Sequence, residues 1–289
     1  MSDPLDALRM TVVPIAPDPV FAANLRRRLQ LEMTGDQEQE ETMTEALLRD
    51  QMSRNGTRHG DVSYITLALP DAAAGRTFYG SVLGWTFAAG QLEEEGNQVD
   101  EVIPQVGLWP APAWRAGMHA GAILCFRVDD IGAAVETVRD RGGTATEIVQ
   151  QPYGRESECT DGQGLRFFLH QLPPPGAPVD PNGSRQGDIS YVVLKVADLG
   201  RAQRFFSSLL GWSFEPGRSG VHVQGPAPMT GMSEGDAGAI LCFQVDDLTS
   251  AVDRVRQAGG TAQEITQQPY GLESTCVDNQ GVPFFLHQF

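Results

Sequence analysis

Apolar and polar positions between residues 61 and 172 fall into short strands separated by single helices, and the pattern restarts at 187. Residues 61–69, DVSYITLAL, are dense in β-branched and aromatic side chains and predict a strand. Pro70-Asp71 ends it, with Asp71 placed to cap a helix. Phe78, Tyr79, Val82 and Leu83 give that helix an apolar side, and Gly84 stops it. Trp85-Thr86-Phe87 predicts the start of another strand, 93–96 a polar turn, 99–108 a further strand and 110–117 a loop. Residues 120–128, AGAILCFRV, predict a strand. Asp129-Asp130 then caps a helix carrying Ile131, Ala134, Val135 and Val138, closed by Gly142-Gly143. Short strands lead on to 165–171. The order is βαβββ, twice.

The second copy is visible as sequence. QPYGRESECTDGQGLRFFLHQ at 151–171 returns as QPYGLESTCVDNQGVPFFLHQ at 268–288. Tyr270 stands 117 positions after Tyr153, and Cys276, Phe285 and His287 stand the same distance after Cys159, Phe168 and His170. Earlier in the copy the offset is 127, matching Tyr191 to Tyr64 and Trp212 to Trp85. The second copy is therefore ten residues shorter between Trp212 and Cys242. Length changes of that kind belong in loops, which predicts one architecture with different pocket walls.

This divides the chain into an N-terminal helical arm and linker (1–57), a first domain (61–172), a Pro- and Gly-rich linker (173–186) and a second domain (187–289). In the arm, Asp18-Pro19 predicts a helix start, and Phe21, Leu25, Leu29 and Met33 recur on one helical face. Such a face serves either as a packing element or as a partner-docking helix.

A formal charge of −16 argues against a nucleic-acid footprint and against an anionic membrane surface. No apolar run has the length of a membrane span, and residues 1–20 lack the apolar core of a secretory signal, so the expected location is the cytoplasm. The four cysteines show no CxxC spacing and read as small buried apolar groups.

The landmarks together resemble the vicinal oxygen chelate superfamily, which includes glyoxalases, bleomycin resistance proteins and extradiol dioxygenases. They are a strand ending in Asp, a helix with Phe-Tyr or Phe-Phe, Leu-Gly-Trp, Val-Asp-Asp, Gly-Gly, and Asp-x-x-Gly followed by the Phe-Phe-Leu strand. The chain is similar to tandem two-domain glyoxalase-like proteins of actinobacteria. The resemblance implies an α+β fold of two tandem domains, each built from two βαβββ modules whose curved, largely antiparallel sheets form a cup around a ligand. It also implies an intrachain pseudo-dimer of the two domains.

Metal-using members of that group place His, Gln or Glu on the first strand, on the strand opening the second module and on the last strand. The resemblance puts Tyr64 and Tyr191, Ile123 and Ile240, and Phe168 and Phe285 there. Isoleucine and phenylalanine have no lone pair to donate, and a neutral phenol is a poor ligand. No metal and no cofactor are therefore expected. The partner expected is a small organic molecule.

Strand alternation sets Phe168 with His170, and Phe285 with His287, on one face. The candidate ligand-binding residues are Tyr64, Thr66, Gln105, Cys125, Phe168 and His170 in the first cup, and Tyr191, His222, Cys242, Phe285 and His287 in the second, with Gln105 and His222 on strands of an open side. Two readings stand for the aromatics, cavity lining and core filling. Two stand for His170 and His287, acid–base groups and strand-end histidines bonded to backbone. Glu156 and Glu273 read as solvated strand-edge residues, against a catalytic carboxylate pair. Binding without catalysis, glyoxalase-type lyase or isomerase activity, and a regulatory interaction module are the three functions these residues leave open. Whether the protein is an enzyme is undecided at this level.

Overall fold

A computed structural model describes residues 57–87, 97–110, 120–151, 153–172 and 185–289. All belong to one compact unit. The arm helix around Phe21 to Met33, the turn at 93–96, the loop at 111–117 and most of the linker lie outside these residues.

The first half runs β1 (Val62–Leu69), α1 (Ala72–Leu83), β2 (Asn97–Gln98), β3 (Val106–Pro110), β4 (Gly121–Arg127), α2 (Ile131–Asp140), β5 (Thr144–Ala145), β6 (Val149–Gln151), β7 (Gly154–Thr160) and β8 (Arg166–Gln171). The second repeats it as β9 (Ile189–Val196), α3 (Leu199–Leu210), β10 (Ser213–Pro216), β11 (Val221–Gln224), β12 (Met229–Glu234), β13 (Gly238–Gln244), α4 (Leu248–Gln257), β14 (Thr261–Ala262), β15 (Thr266–Gln268), β16 (Gly271–Val277) and β17 (Pro283–Gln288). The fold is α+β, as expected.

Local chemistry sets the helix limits. Asp71, Asp130, Asp198 and Asp247 each accept a hydrogen bond from the backbone N–H three residues on, satisfying donors the first helical turn leaves free. Gly84 and Gly211 end α1 and α3 in the left-handed region, at φ 76° and 69°. The strand expected at 99–108 is split instead. Val99 only bridges Phe87, and β3 begins at Val106 after a cis Ile103–Pro104 bond. Proline supplies no N–H to a ladder, so Pro104 breaks the strand interior there.

Within each half the modules join through antiparallel central strands, β1 with β4 and β9 with β13. Parallel β3 and β8 flank the first pair, and β12 and β17 the second. The half-sheets meet at a single bridge, Ala122 to Ala239.

The halves share their cores. Helix α1 packs against α4, and α3 against α2. The Trp85 indole donates to Gly187 O at 2.9 Å, stacks on Tyr79 and meets Phe243 edge-on. Trp212 donates to Gly60 O at 3.0 Å, stacks on Phe206 and meets Phe126 edge-on. Gln280 holds Asp71 through backbone N–H and C=O, and Gln163 holds Asp198 in the same way. The contacts are reciprocal, as in a two-fold dimer made within one chain. No helix among the described residues is long and apolar enough to cross a membrane.

Candidate functional site

Each half-sheet carries a row of three side chains across one face. Tyr64 pairs with Cys125, and Cys125 with Phe168. In the second half Tyr191 pairs with Cys242, and Cys242 with Phe285. The tyrosine rings lie across a neighbouring strand because that strand has glycine beneath them. A Cβ on Gly107 or Gly231 would stand 2.0 or 2.2 Å from the phenol oxygen.

The two floors differ in what covers them. Tyr64, Ile123, Cys125 and Phe168 are buried and pack with Leu172 and Tyr153 into one apolar cluster. The Tyr64 oxygen accepts from Gln98 Nε2 at 2.8 Å and Trp109 Nε1 at 3.4 Å. Arg166 and Glu158 form an ion pair in this half, where the second half has Pro283 and Thr275. Thr66 is buried too. In the second half Tyr191, Ile240 and Phe285 are only half-buried, and Tyr270 is 48% exposed. The counterpart of Leu172 is Phe289, which is 57% exposed. Tyr191 Oη meets the exposed His222 Nδ1 at 2.9 Å. Burial and the adjacent Cys242 push the Tyr191 phenol up to about 12. The row is thus buried in the first half, whereas Tyr191 and Phe285 are partly exposed in the second.

Gln105 does not join the open side. It is buried, precedes β3 rather than lying on a strand, and its carbonyl accepts the Ile65 N–H at 2.9 Å. His222 does lie on a strand, β11.

His170 and His287 sit in a four-residue chain that is the same in both halves. Ser63 Oγ donates to Cys125 O at 3.0 Å and lies 3.2 Å from His170 Nδ1. Its own proton is committed to the carbonyl, so it meets Nδ1 as an acceptor. His170 Nε2 faces Glu156 Oε2 at 3.6 Å, and Tyr153 Oη donates to that oxygen at 2.8 Å. In the second half Ser190 donates to Cys242 O at 3.1 Å and lies 3.3 Å from His287 Nδ1. His287 Nε2 meets Glu273 Oε2 at 3.0 Å, with Tyr270 donating to it at 2.8 Å.

Glu156 is therefore not a solvated edge residue. It is 8% exposed, and its register opposite His170 turns it inward. Burial alone would raise its carboxyl, but His170, Tyr153 and Gln151 outweigh that and hold it below the usual range. At Glu273 the His287 contact is the leading cause of a similar lowering, opposed by burial and aided by Tyr270. The serines come from β-bulges. The register skips between Val62 and Tyr64, and between Cys242 and Phe243 opposite Ser190, and an extra residue of this kind re-aims a side chain.

Burial, with the charge of Glu156 or Glu273 behind it, drives the Cys125 and Cys242 thiols well above their ordinary range. Cys159 and Cys276 are pushed up to about 12 and about 11. All four thiols are buried and unpaired, the opposite of an activated nucleophile. Tyr64, Ile123 and Phe168, and likewise Tyr191, Ile240 and Phe285, offer one neutral phenol per cup and do not fit a divalent ion. Among the described residues no group of three or more His, Cys, Asp or Glu side chains is gathered for a metal.

The chain belongs to the glyoxalase-like domain family, whose model matches residues 64–170 and again 191–287. It is 26% identical over 259 residues to the anthracycline biosynthesis protein DauV of Streptomyces sp. (strain C5), spanning 78% of this chain and 92% of that one. It is 27% identical, with the same coverage, to the anthracycline biosynthesis protein DnrV of Streptomyces peucetius. In fold it is similar to the Mn(II)-bound glyoxalase from Novosphingobium aromaticivorans, with TM-score 0.61, 16% identity and coverage of 80% of this chain and 83% of that one. It is also similar to homoprotocatechuate 2,3-dioxygenase from Brevibacterium fuscum, with TM-score 0.58, 14% identity and coverage of 80% and 82%.

Proposed function

We propose that this glyoxalase-like protein binds a planar aromatic small molecule in its second cup, without a metal ion, in the manner of a bleomycin-resistance-type binding protein. The observation that carries this is the half-exposed row of Tyr191, Cys242 and Phe285, edged by Tyr270 and His222. Aromatic walls with a few polar tips suit a flat ring system bearing hydroxyl or carbonyl groups. The similarity to two proteins named for anthracycline biosynthesis points the same way, toward fused-ring ligands. The first cup, closed by its own side chains, serves as core. Titrating the protein with fused-ring quinones and following tryptophan fluorescence tests this reading. Saturable binding should weaken at least about tenfold in Phe285→Ala and Tyr191→Ala, each of which removes an aromatic contact, and stay unchanged in Phe168→Leu. Equal loss in all three, or no binding, defeats it.

A second reading is acid–base catalysis on the bound molecule. The observation in its favour is the Ser190–His287–Glu273–Tyr270 chain, whose outer phenol is exposed at the cup edge. Such a chain can hold a proton beside a ligand and return it. Turnover by the wild type that is lost in His287→Gln while binding persists would separate this reading from binding alone.

A further inference from the structure

Lys195 is the only lysine in the 289 residues; every other basic side chain is arginine or histidine. It lies on β9 with Tyr191 and Val193 on the partly exposed face, while Val192, Leu194 and Val196 are buried on the other. Its row places it beside Gly238 on β13 and Ser233 on β12, and its stem runs past Gly235. Two of these three neighbours are glycines, and Lys195 is partly exposed. The ammonium donates to Ser233 Oγ at 2.8 Å. An ammonium has three N–H donors. Among the described residues no carboxylate stands within ion-pairing distance of it. The equivalent position in the first half is Ala68, fully buried and paired with Trp109. The cation therefore belongs to the open cup alone.

We propose that Lys195 is the anion anchor of the second cup. It takes an ionised oxygen, a carboxylate or an acidic phenolate or enolate, carried on one end of an elongated aromatic ligand. It stands four positions along β9 from Tyr191, about 13 Å. A ligand held at both ends spans Val193 and Ile240 and brings its far edge to the Tyr191–His222 pair. This rests on the reading of the second cup as a site for flat aromatic molecules and adds the charge and length of what it takes.

The test uses two probes of one shape, anthraquinone-2-carboxylate and its neutral carboxamide, titrated into the full chain. The wild type should bind the carboxylate about tenfold more tightly than the amide, the scale of one charge-assisted hydrogen bond. Lys195→Met should abolish that preference while leaving the amide unchanged, and Lys195→Arg should retain part of it. Equal binding of both probes by the wild type, or a preference that survives in Lys195→Met, overturns the anchor and leaves the aromatic cup standing. Binding of neither probe overturns both. A measurement on the wild type needs no variant. The single lysine can be acetylated and its peptide weighed, and carboxylate but not amide should protect it. Equal protection by the two, or none from the carboxylate at saturation, counts against the anchor.

Discussion

Trp85 and Trp212 are exchanged between the halves: each follows the glycine that ends its own helix, yet its indole N–H donates to a carbonyl at the entrance of the other half, Gly187 and Gly60. The two halves therefore do not possess separate cores. Tyr79 reaches Asp278 across the same boundary at 3.0 Å, with both groups buried. Removing either indole leaves a cavity and an unmatched carbonyl. Trp85→Ala and Trp212→Ala should each cost about 3–5 kcal/mol in urea unfolding, and in both the two halves should still unfold in one transition. The two halves expressed apart should be poorly soluble alone and should recover a single folded species when refolded together. Well-folded monomeric halves that ignore one another would contradict the exchange.

The repeated strand, helix and turn landmarks, the aspartate caps and the glycine stops were all legible in the sequence, because each depends on neighbours within a few positions. The placing of Tyr64, Ile123 and Phe168 at ligand positions came instead from the family resemblance, not from neighbouring residues. The Ser63 and Ser190 bulges were not legible. A bulge is one residue of slack between two strands and carries no composition signal. The burial of Glu156 was missed because it depends on register opposite His170, set by a tertiary pairing. The burial of Leu172 against the exposure of its counterpart Phe289 was not legible either, since both follow the conspicuous motif and sit outside it. Of the two readings of the aromatic rows, burial in the core describes Tyr64 and Phe168, while lining by Tyr191 and Phe285 belongs to the proposal for the second half.

The donor chemistry of the two cups gives a direct expectation for metal. Protein purified without chelator should carry no stoichiometric zinc, manganese, iron or nickel, and dialysis against a chelator should change neither the melting temperature nor binding of a fused-ring quinone. Elemental analysis settles it. One transition ion per chain, lost together with binding, would mean that residues other than Tyr191, Ile240 and Phe285 form a ligand set.

The lowered carboxyl of Glu273 has a signed consequence for stability. A carboxylate whose folded pKa lies below its unfolded value stabilises the fold above the ordinary glutamate pKa, near 4.3. That contribution is lost as pH falls through the folded value. The wild type should therefore exceed Glu273→Gln in stability at pH 7, and the gap should narrow once the pH falls below about 4.3. Glu156→Gln should behave likewise, since its carboxyl is lowered too. Urea unfolding of the three proteins at a series of pH values reads this out. A gap that is constant or widens on acidification would show that the carboxylates are not the source.

Gly107 and Gly231 offer the sharpest comparison between the cups, because the same substitution meets the same side chain in two environments. An alanine Cβ at either position collides with the phenol oxygen, at 2.0 Å for Tyr64 and 2.2 Å for Tyr191. Tyr64 cannot give way easily. It is buried, its oxygen accepts from Gln98 and Trp109, and Trp109 Nε1 would itself stand 2.8 Å from the new carbon. Tyr191 is half-exposed and has one bond to give up, to an exposed histidine. Gly107→Ala should therefore cost about 1–3 kcal/mol, the usual range for overpacking a filled core. Gly231→Ala should cost less than about 1 kcal/mol, because the ring can swing into solvent. Binding should follow the reverse order. The displaced Tyr191 ring obstructs the open cup, so Gly231→Ala should lose affinity for a fused-ring quinone while Gly107→Ala, once folded, keeps it. Equal stability costs for the two alanines would mean that the second floor is as tightly filled as the first, and the assignment of the ligand to the second cup would fall with that result.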